Sequence, residues 1–79
     1  MLNRLVKTEA VAVDGRKYPV RYFEMKTLRG IRRYSAEILL GPGDRIILDD
    51  DSVVRLEAKA TCVVPATVYS RMLARANAA

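Results

Sequence analysis

Ser52-Val53-Val54-Arg55-Leu56-Glu57-Ala58-Lys59-Ala60-Thr61-Cys62-Val63-Val64 is the stretch on which the fold turns. Read with a period of two, Val54, Leu56, Ala58, Ala60 and Cys62 alternate with Arg55, Glu57, Lys59 and Thr61, the pattern of a half-buried strand. Read with the helical period, Val53, Leu56, Ala60, Val63 and Val64 share one stripe with Glu57 beside it. Composition separates the two. Alanine is a poor strand residue, whereas Leu56-Glu57-Ala58-Lys59-Ala60 contains several of the best helix formers. Asp51 or Ser52 supplies an N-cap, and Asp49, Asp50 and Asp51 put negative charge where a helix dipole favours it. Residues 53–63 are therefore read as helix. The strand reading survives as the alternative, a small five-stranded SH3- or OB-like barrel with one C-terminal helix.

Downstream, Pro65 separates this segment from residues 66–77 and is well placed to open a second helix. There Val68, Met72 and Leu73 form the apolar stripe with Tyr69 beside it, while Ser70, Arg71 and Arg75 face away.

Upstream, the pattern is β-structure. Asp14-Gly15 is the preferred central pair of a two-residue hairpin turn, since both positions need positive φ. It pairs Val13 with Arg16, Val11 with Tyr18, Glu9 with Val20, Lys7 with Tyr22 and Leu5 with Glu24. Leu5, Val11, Val13, Tyr18, Val20 and Tyr22 then share the core face, with Lys7 and Glu9 intruding on it. Thr27-Leu28-Arg29-Gly30 is a connection. Residues 31–40 alternate again, with Tyr34, Ala36, Ile38 and Leu40 on one side and Arg33, Ser35 and Glu37 on the other. Gly41-Pro42-Gly43-Asp44 has the Pro-Gly centre of a type II turn, which places Ile38 opposite Ile47. Ile46-Ile47-Leu48 reads as a short strand buried on both sides or capping the sheet. The fold class that results is α+β: a four-stranded antiparallel meander with two C-terminal helices on one face, in a single small domain spanning 1–79.

The totals agree with one thin core. A chain of 79 residues has room for one domain, and 51% hydrophobic content is too high for a disordered one. A single core layer leaves an apolar face to cover, so a homo-oligomer is expected. The net charge of +5 is unevenly placed. Residues 1–33 carry nine Lys/Arg against three carboxylates, while residues 34–63 carry six carboxylates against three cations. The first half could attract a polyanion, or the acidic surface of a second copy.

Several chemistries are excluded by residue type. Without histidine there is no Ser/His or Cys/His nucleophile pair and no His-containing metal site. One cysteine makes neither a zinc site nor a disulfide within the chain, and Cys62 is read as a buried or half-buried structural residue. No glycine-rich phosphate loop is present. Asp49-Asp50-Asp51 lacks the alternate spacing of a calcium loop and reads as a solvated turn that caps the helix. No cofactor and no metal are expected, and the chain is read as non-enzymatic. With no secretory apolar segment, no stretch long enough to span a membrane and a lone cysteine, a cytoplasmic setting is expected.

Two functional readings follow. The first is a small, self-associating interaction module that binds a protein partner, with Tyr18, Tyr22 and Tyr34 in the core or at an interface. The alternative is nucleic-acid binding by a basic sheet face on which Lys17, Arg21 and Phe23 lie together and Arg33 follows on the next strand. There the cations would meet phosphates and the ring would stack on a base. Arg29 and Arg32-Arg33 before a strand are similar to the arginine cluster of PilZ domains, but that family's downstream Asp/Asn-x-Ser-x-x-Gly element is missing, so its function is not carried over.

Overall fold

The computed structural model describes residues 3–77. Four strands, β1 (Asn3–Val13), β2 (Arg16–Lys26), β3 (Arg32–Gly41) and β4 (Asp44–Asp50), precede one helix, α1 (Val53–Asn77). The strands form one antiparallel sheet in the order β1-β2-β3-β4. The α+β class and the meander are those expected from the sequence, and residues 53–63 are helical.

The first hairpin closes as its turn chemistry demands. Asp14 and Gly15 have φ of 51° and 80°, and the pairs from Val13 with Arg16 to Lys7 with Tyr22 follow without a slip. Two bulges then alter the register. The first lies between Leu5 and Lys7, so Leu5 meets Phe23 rather than Glu24 and moves to the face away from the helix. Leu5 is accordingly exposed, against the expectation of a core role. The second lies between Leu39 and Gly41, beside the Pro42-Gly43 turn in which Gly43 has φ 71°. It shifts β4 by one residue, so Ile38 pairs with Ile46 instead of Ile47. Ile46 and Leu48 then pack against the core, while Ile47 is exposed rather than buried.

The expected pair of helices is a single one. Pro65 lies inside α1. It cannot donate to the Thr61 carbonyl, a loss that in a helix interior costs ~3 kcal/mol. Packing on both sides of Pro65 holds the axis: Leu56, Ala60, Val64 and Val68 form one buried row at four-residue intervals, three before the proline and one beyond it. One turn earlier the Thr61 hydroxyl donates to the Glu57 carbonyl at 2.9 Å, a back-bond that lets a helix bend. The N-terminus is capped by Ser52, whose hydroxyl accepts from the Arg55 amide at 3.4 Å and whose carbonyl accepts from the Leu56 amide at 3.1 Å.

Val20, Tyr22 and Ile38 of the sheet and Leu56 and Val64 of the helix are fully buried, with Ala36 and Ala60 between them. The two alanines let α1 approach the sheet closely. Polar contacts fasten both flanks of the helix. On the β1 side Lys7 bonds Glu57 at 2.6 Å, and the Tyr69 hydroxyl donates to Asp14 at 3.3 Å. On the β4 side Lys59 pairs with Asp50 at 2.7 Å, and Arg71 with Asp44 at 3.0 Å. Residues 57 and 59 recur twelve positions later as 69 and 71, so each flank is tied near both ends of the contact. Beyond Val68 the helix runs on with its side chains exposed: Met72 and Leu73, expected in the apolar stripe, are 52% and 65% exposed. At the opposite end the β2–β3 connection projects past the helix start, and the long axis reaches 49 Å.

Candidate interaction surfaces

Strand register puts Lys17, Arg21 and Phe23 of β2 and Arg33 of β3 on the sheet face away from α1, as the sequence predicts. The grouping is partial. Arg21, Phe23 and Arg33 are neighbours, whereas Lys17 lies six residues along the strand from Phe23, about 20 Å away. Phe23 is half-buried between Leu5 and Ser35. The two arginines are already engaged. Arg21 and Arg45 both pair with Glu37, which bridges three strands, and Arg33 pairs with Asp49 at 3.2 Å. A phosphate arriving at this face would compete with Glu37, directly opposite Arg21, and with Asp49, diagonally across from Arg33.

The acidic triplet is divided among cations. Asp49 pairs with Arg33 and Asp50 with Lys59, while Arg55 reaches Asp51 at 3.5 Å and Asp50 at 4.0 Å. Among the described residues no three metal-ligating side chains converge. Asp50 is the buried member: the Lys59 ammonium first, then the Asp51 side chain, and to a lesser degree the Asp51 amide donating at 2.7 Å, hold its carboxyl well below the usual carboxylate range.

All nine carboxylates of the chain are engaged in this way, eight by Lys or Arg and Asp14 by the Tyr69 hydroxyl. Six cations have no carboxylate partner among the described residues. Lys26, Arg29 and Arg32 surround the β2–β3 connection with its exposed Leu28 and Ile31, Lys17 stands on the outer sheet face, and Arg16 and Arg75 lie at the turn end of the molecule.

A further surface lies on α1, and the sequence reading did not single it out. Between Lys59 and Arg71 the helix carries no charge over three turns. One side of this stretch is taken up by Ala60, Val64 and Val68 against the sheet, and the other presents Thr61, Cys62, Ala66, Tyr69 and Ser70 to solvent. Cys62, expected to be buried, is exposed there. The reason is geometric. Its neighbours Val63 and Val64 suggest burial, whereas helical rotation carries Cys62 away from the row that Leu56, Ala60 and Val64 form. Ala58, Cys62, Ala66, Tyr69 and Leu73 continue at intervals of three and four, the spacing of a helix-packing seam, and all five are exposed. A surface helix commonly puts charge on the face away from its core, and between Lys59 and Arg71 this one does not.

No helix among the described residues is long and apolar enough to cross a membrane. Comparison of the chain with protein-family models, with curated proteins and with solved structures finds no match in any of the three.

Proposed function

We propose that this chain is a non-enzymatic interaction module that self-associates through the outer face of α1, leaving the other side of the sheet for a protein partner. The observation that carries the reading is the run of uncharged, mostly small side chains exposed between Lys59 and Arg71. Ala58, Cys62 and Ala66 let a second helix approach closely, and Tyr69 and Leu73 provide apolar area at one end of the seam. The occupant is a second copy of this chain, because a seam without charge is its own complement and sets up no like-charge contact across a two-fold axis. The nucleic-acid alternative through Lys17, Arg21, Phe23 and Arg33 is weaker, because Glu37 and Asp49 already occupy two of its three cations.

Sedimentation of the whole chain across micromolar to millimolar concentration tests the first reading. A dimer is expected, with Ala66→Arg and Cys62→Arg monomeric and unchanged in helix content by circular dichroism. A wild-type chain that stays monomeric, or an Ala66→Arg variant that dimerises equally well, overturns it. Fluorescence anisotropy with labelled single-stranded DNA at low salt addresses the alternative. Binding there that Arg21→Glu and Arg33→Glu abolish would favour the nucleic-acid reading, since phosphate contacts are strongest at low ionic strength.

A further inference from the structure

The overhang of α1 encloses a second feature that the seam does not use. Beyond Val68 the helix leaves the sheet, while the Asp14-Gly15 and Pro42-Gly43 turns close the strands beneath it. The space between is a pocket of about 350 Å³. One part of its wall is apolar, with Tyr18, Leu40, Val68 and Met72 contributing, and Tyr18 and Val68 belong to the core itself. Three guanidinium groups line it, from Arg16 at the start of β2 and from Arg71 and Arg75 one turn apart on α1.

Two carboxylates line it as well, and both are spoken for. Asp44 accepts two bonds from Arg71, from Nε at 3.0 Å and from Nη2 at 3.2 Å. That fork lowers the Asp44 carboxyl below its usual range, with a smaller contribution from the charge of Arg75. Asp14 accepts the Tyr69 hydroxyl. Arg16 and Arg75 have no carboxylate partner among the described residues. The pocket thus combines an apolar wall, two guanidinium groups with no carboxylate within ion-pair distance among the described residues, and a third already holding a carboxylate in the two-pronged manner that arginine favours.

From this geometry we infer that the pocket binds a small organic anion: a single carboxylate or monophosphate on a compact apolar body. The anionic group meets Arg16 and Arg75, and the body lies against Tyr18, Leu40, Val68 and Met72. The volume sits at the lower end of the usual range for small-molecule sites and suits a ligand of one ring or a short branched chain rather than a nucleotide or a folded partner. A neutral ligand would make no use of the two guanidinium groups, and a bare inorganic anion would leave the apolar wall wet. The site needs both parts. The central residues of the self-association seam, Cys62 and Ala66, do not line the pocket, and the two features meet at Tyr69, whose hydroxyl bonds Asp14.

Titration of the full-length chain, followed by amide shifts in two-dimensional NMR, tests this with four named probes: phenyl phosphate, phenylacetate, benzyl alcohol and inorganic phosphate. The first two are expected to give saturable shifts confined to residues 13–18, 40–44 and 68–75. Benzyl alcohol and inorganic phosphate should bind at least about tenfold more weakly, because each lacks one of the two parts. Arg16→Ala and Arg75→Ala should each weaken phenyl phosphate by about tenfold, a loss typical of a charge-assisted hydrogen bond, while Arg29→Ala at the far end of the molecule leaves it unchanged. Inorganic phosphate binding as tightly as phenyl phosphate would mean an adventitious ion only and would overturn the proposal. So would shifts that never saturate, or full affinity in the Arg16→Ala, Arg75→Ala double variant with its spectrum otherwise intact.

Discussion

Lys7 and Tyr22 are cross-strand partners on the core face of the first hairpin, and the Lys7 ammonium lies 5.2 Å from the centre of the Tyr22 ring. The same ammonium bonds Glu57 at 2.6 Å and Glu9 at 2.9 Å, so a charge that intrudes on an apolar face is answered by a ring and two carboxylates. Glu57 first and Glu9 second raise the Lys7 pKa above its ordinary value. Lys7→Gln and Glu57→Gln should each lower the melting temperature. Because one contact is lost in either case, the double variant should melt no lower than the worse single one. Fully additive losses in thermal denaturation would show that the two residues do not act on each other.

Continuity of α1 through Pro65 makes a prediction of opposite sign. If one axis runs from Val53 to Asn77, restoring the missing donor should help. Pro65→Ala is expected to stabilise the fold by about 1–3 kcal/mol, less than the full interior penalty because the proline is half-buried and its ring contacts are lost. Urea denaturation reads the difference. A neutral or destabilising result would mean that the chain breaks at this point and that proline opens a second helix.

The buried row of α1 sets where truncation is costly. Leu56 is fully buried and Val54, two residues away, is 75% exposed. Leu56→Ala should cost about 2–5 kcal/mol, a large part of the roughly 4–12 kcal/mol available to a chain of this length. Val54→Ala should stay within about 0.5 kcal/mol of zero. Equal losses at the two sites in denaturant melts would require the strand reading, in which Val54 and Leu56 share one face.

Acid should weaken the fold through Asp44 and Asp50. Both carboxyls titrate below their ordinary values in the folded state, Asp44 through Arg71 and Asp50 through Lys59. The unfolded chain therefore takes up protons that the folded chain refuses. Their contribution is fully present above the unfolded carboxylate pKa near 3.8 and is lost as pH falls below it through the folded values. Asp50→Asn should flatten that part of the curve when stability is followed from neutral pH downwards. An unchanged acid limb would show that Lys59 does not stabilise the Asp50 carboxylate.

Much of this architecture is legible in local residue chemistry. Asp14-Gly15 specifies its hairpin because few other pairs accept positive φ twice, and the alternation of Tyr18, Val20 and Tyr22 then sets the core face. Residues 53–63 are also legible, since Ser52 and a run of good helix formers outweigh an accidental period of two. The bulges at Val6 and Leu40 are not, because a single extra residue leaves no mark in an alternating pattern and is placed by the packing of the finished sheet. Pro65 misleads for a related reason: its local penalty is real, and burial of Val64 and Val68 on the same sheet overrides it. The basic face is legible as to side but not as to availability, because the carboxylates that meet Arg21 and Arg33 come from β3 and β4. The helix seam had a signal in the charge-free run from residue 60 to residue 70. An exposed face declares itself through what it lacks, and pattern reading attends to what is present.

The bulge in β1 has a consequence for how copies of this chain can meet. A meander leaves its first and last strands with one side of the backbone unsatisfied, and such margins invite strand addition and fibre growth. β4 is short, and Lys59 donates to its Asp49 carbonyl at 3.3 Å. β1 is long enough to template a neighbour, but its ladder is interrupted at Val6 and its flanking positions are Arg4, Lys7 and Glu9. A strand approaching in register would lose its bonding at the extra residue and meet charge on either side. The same residue that turns Leu5 away from the core thus discourages open-ended stacking, so that the association proposed through the helix would end at a closed pair.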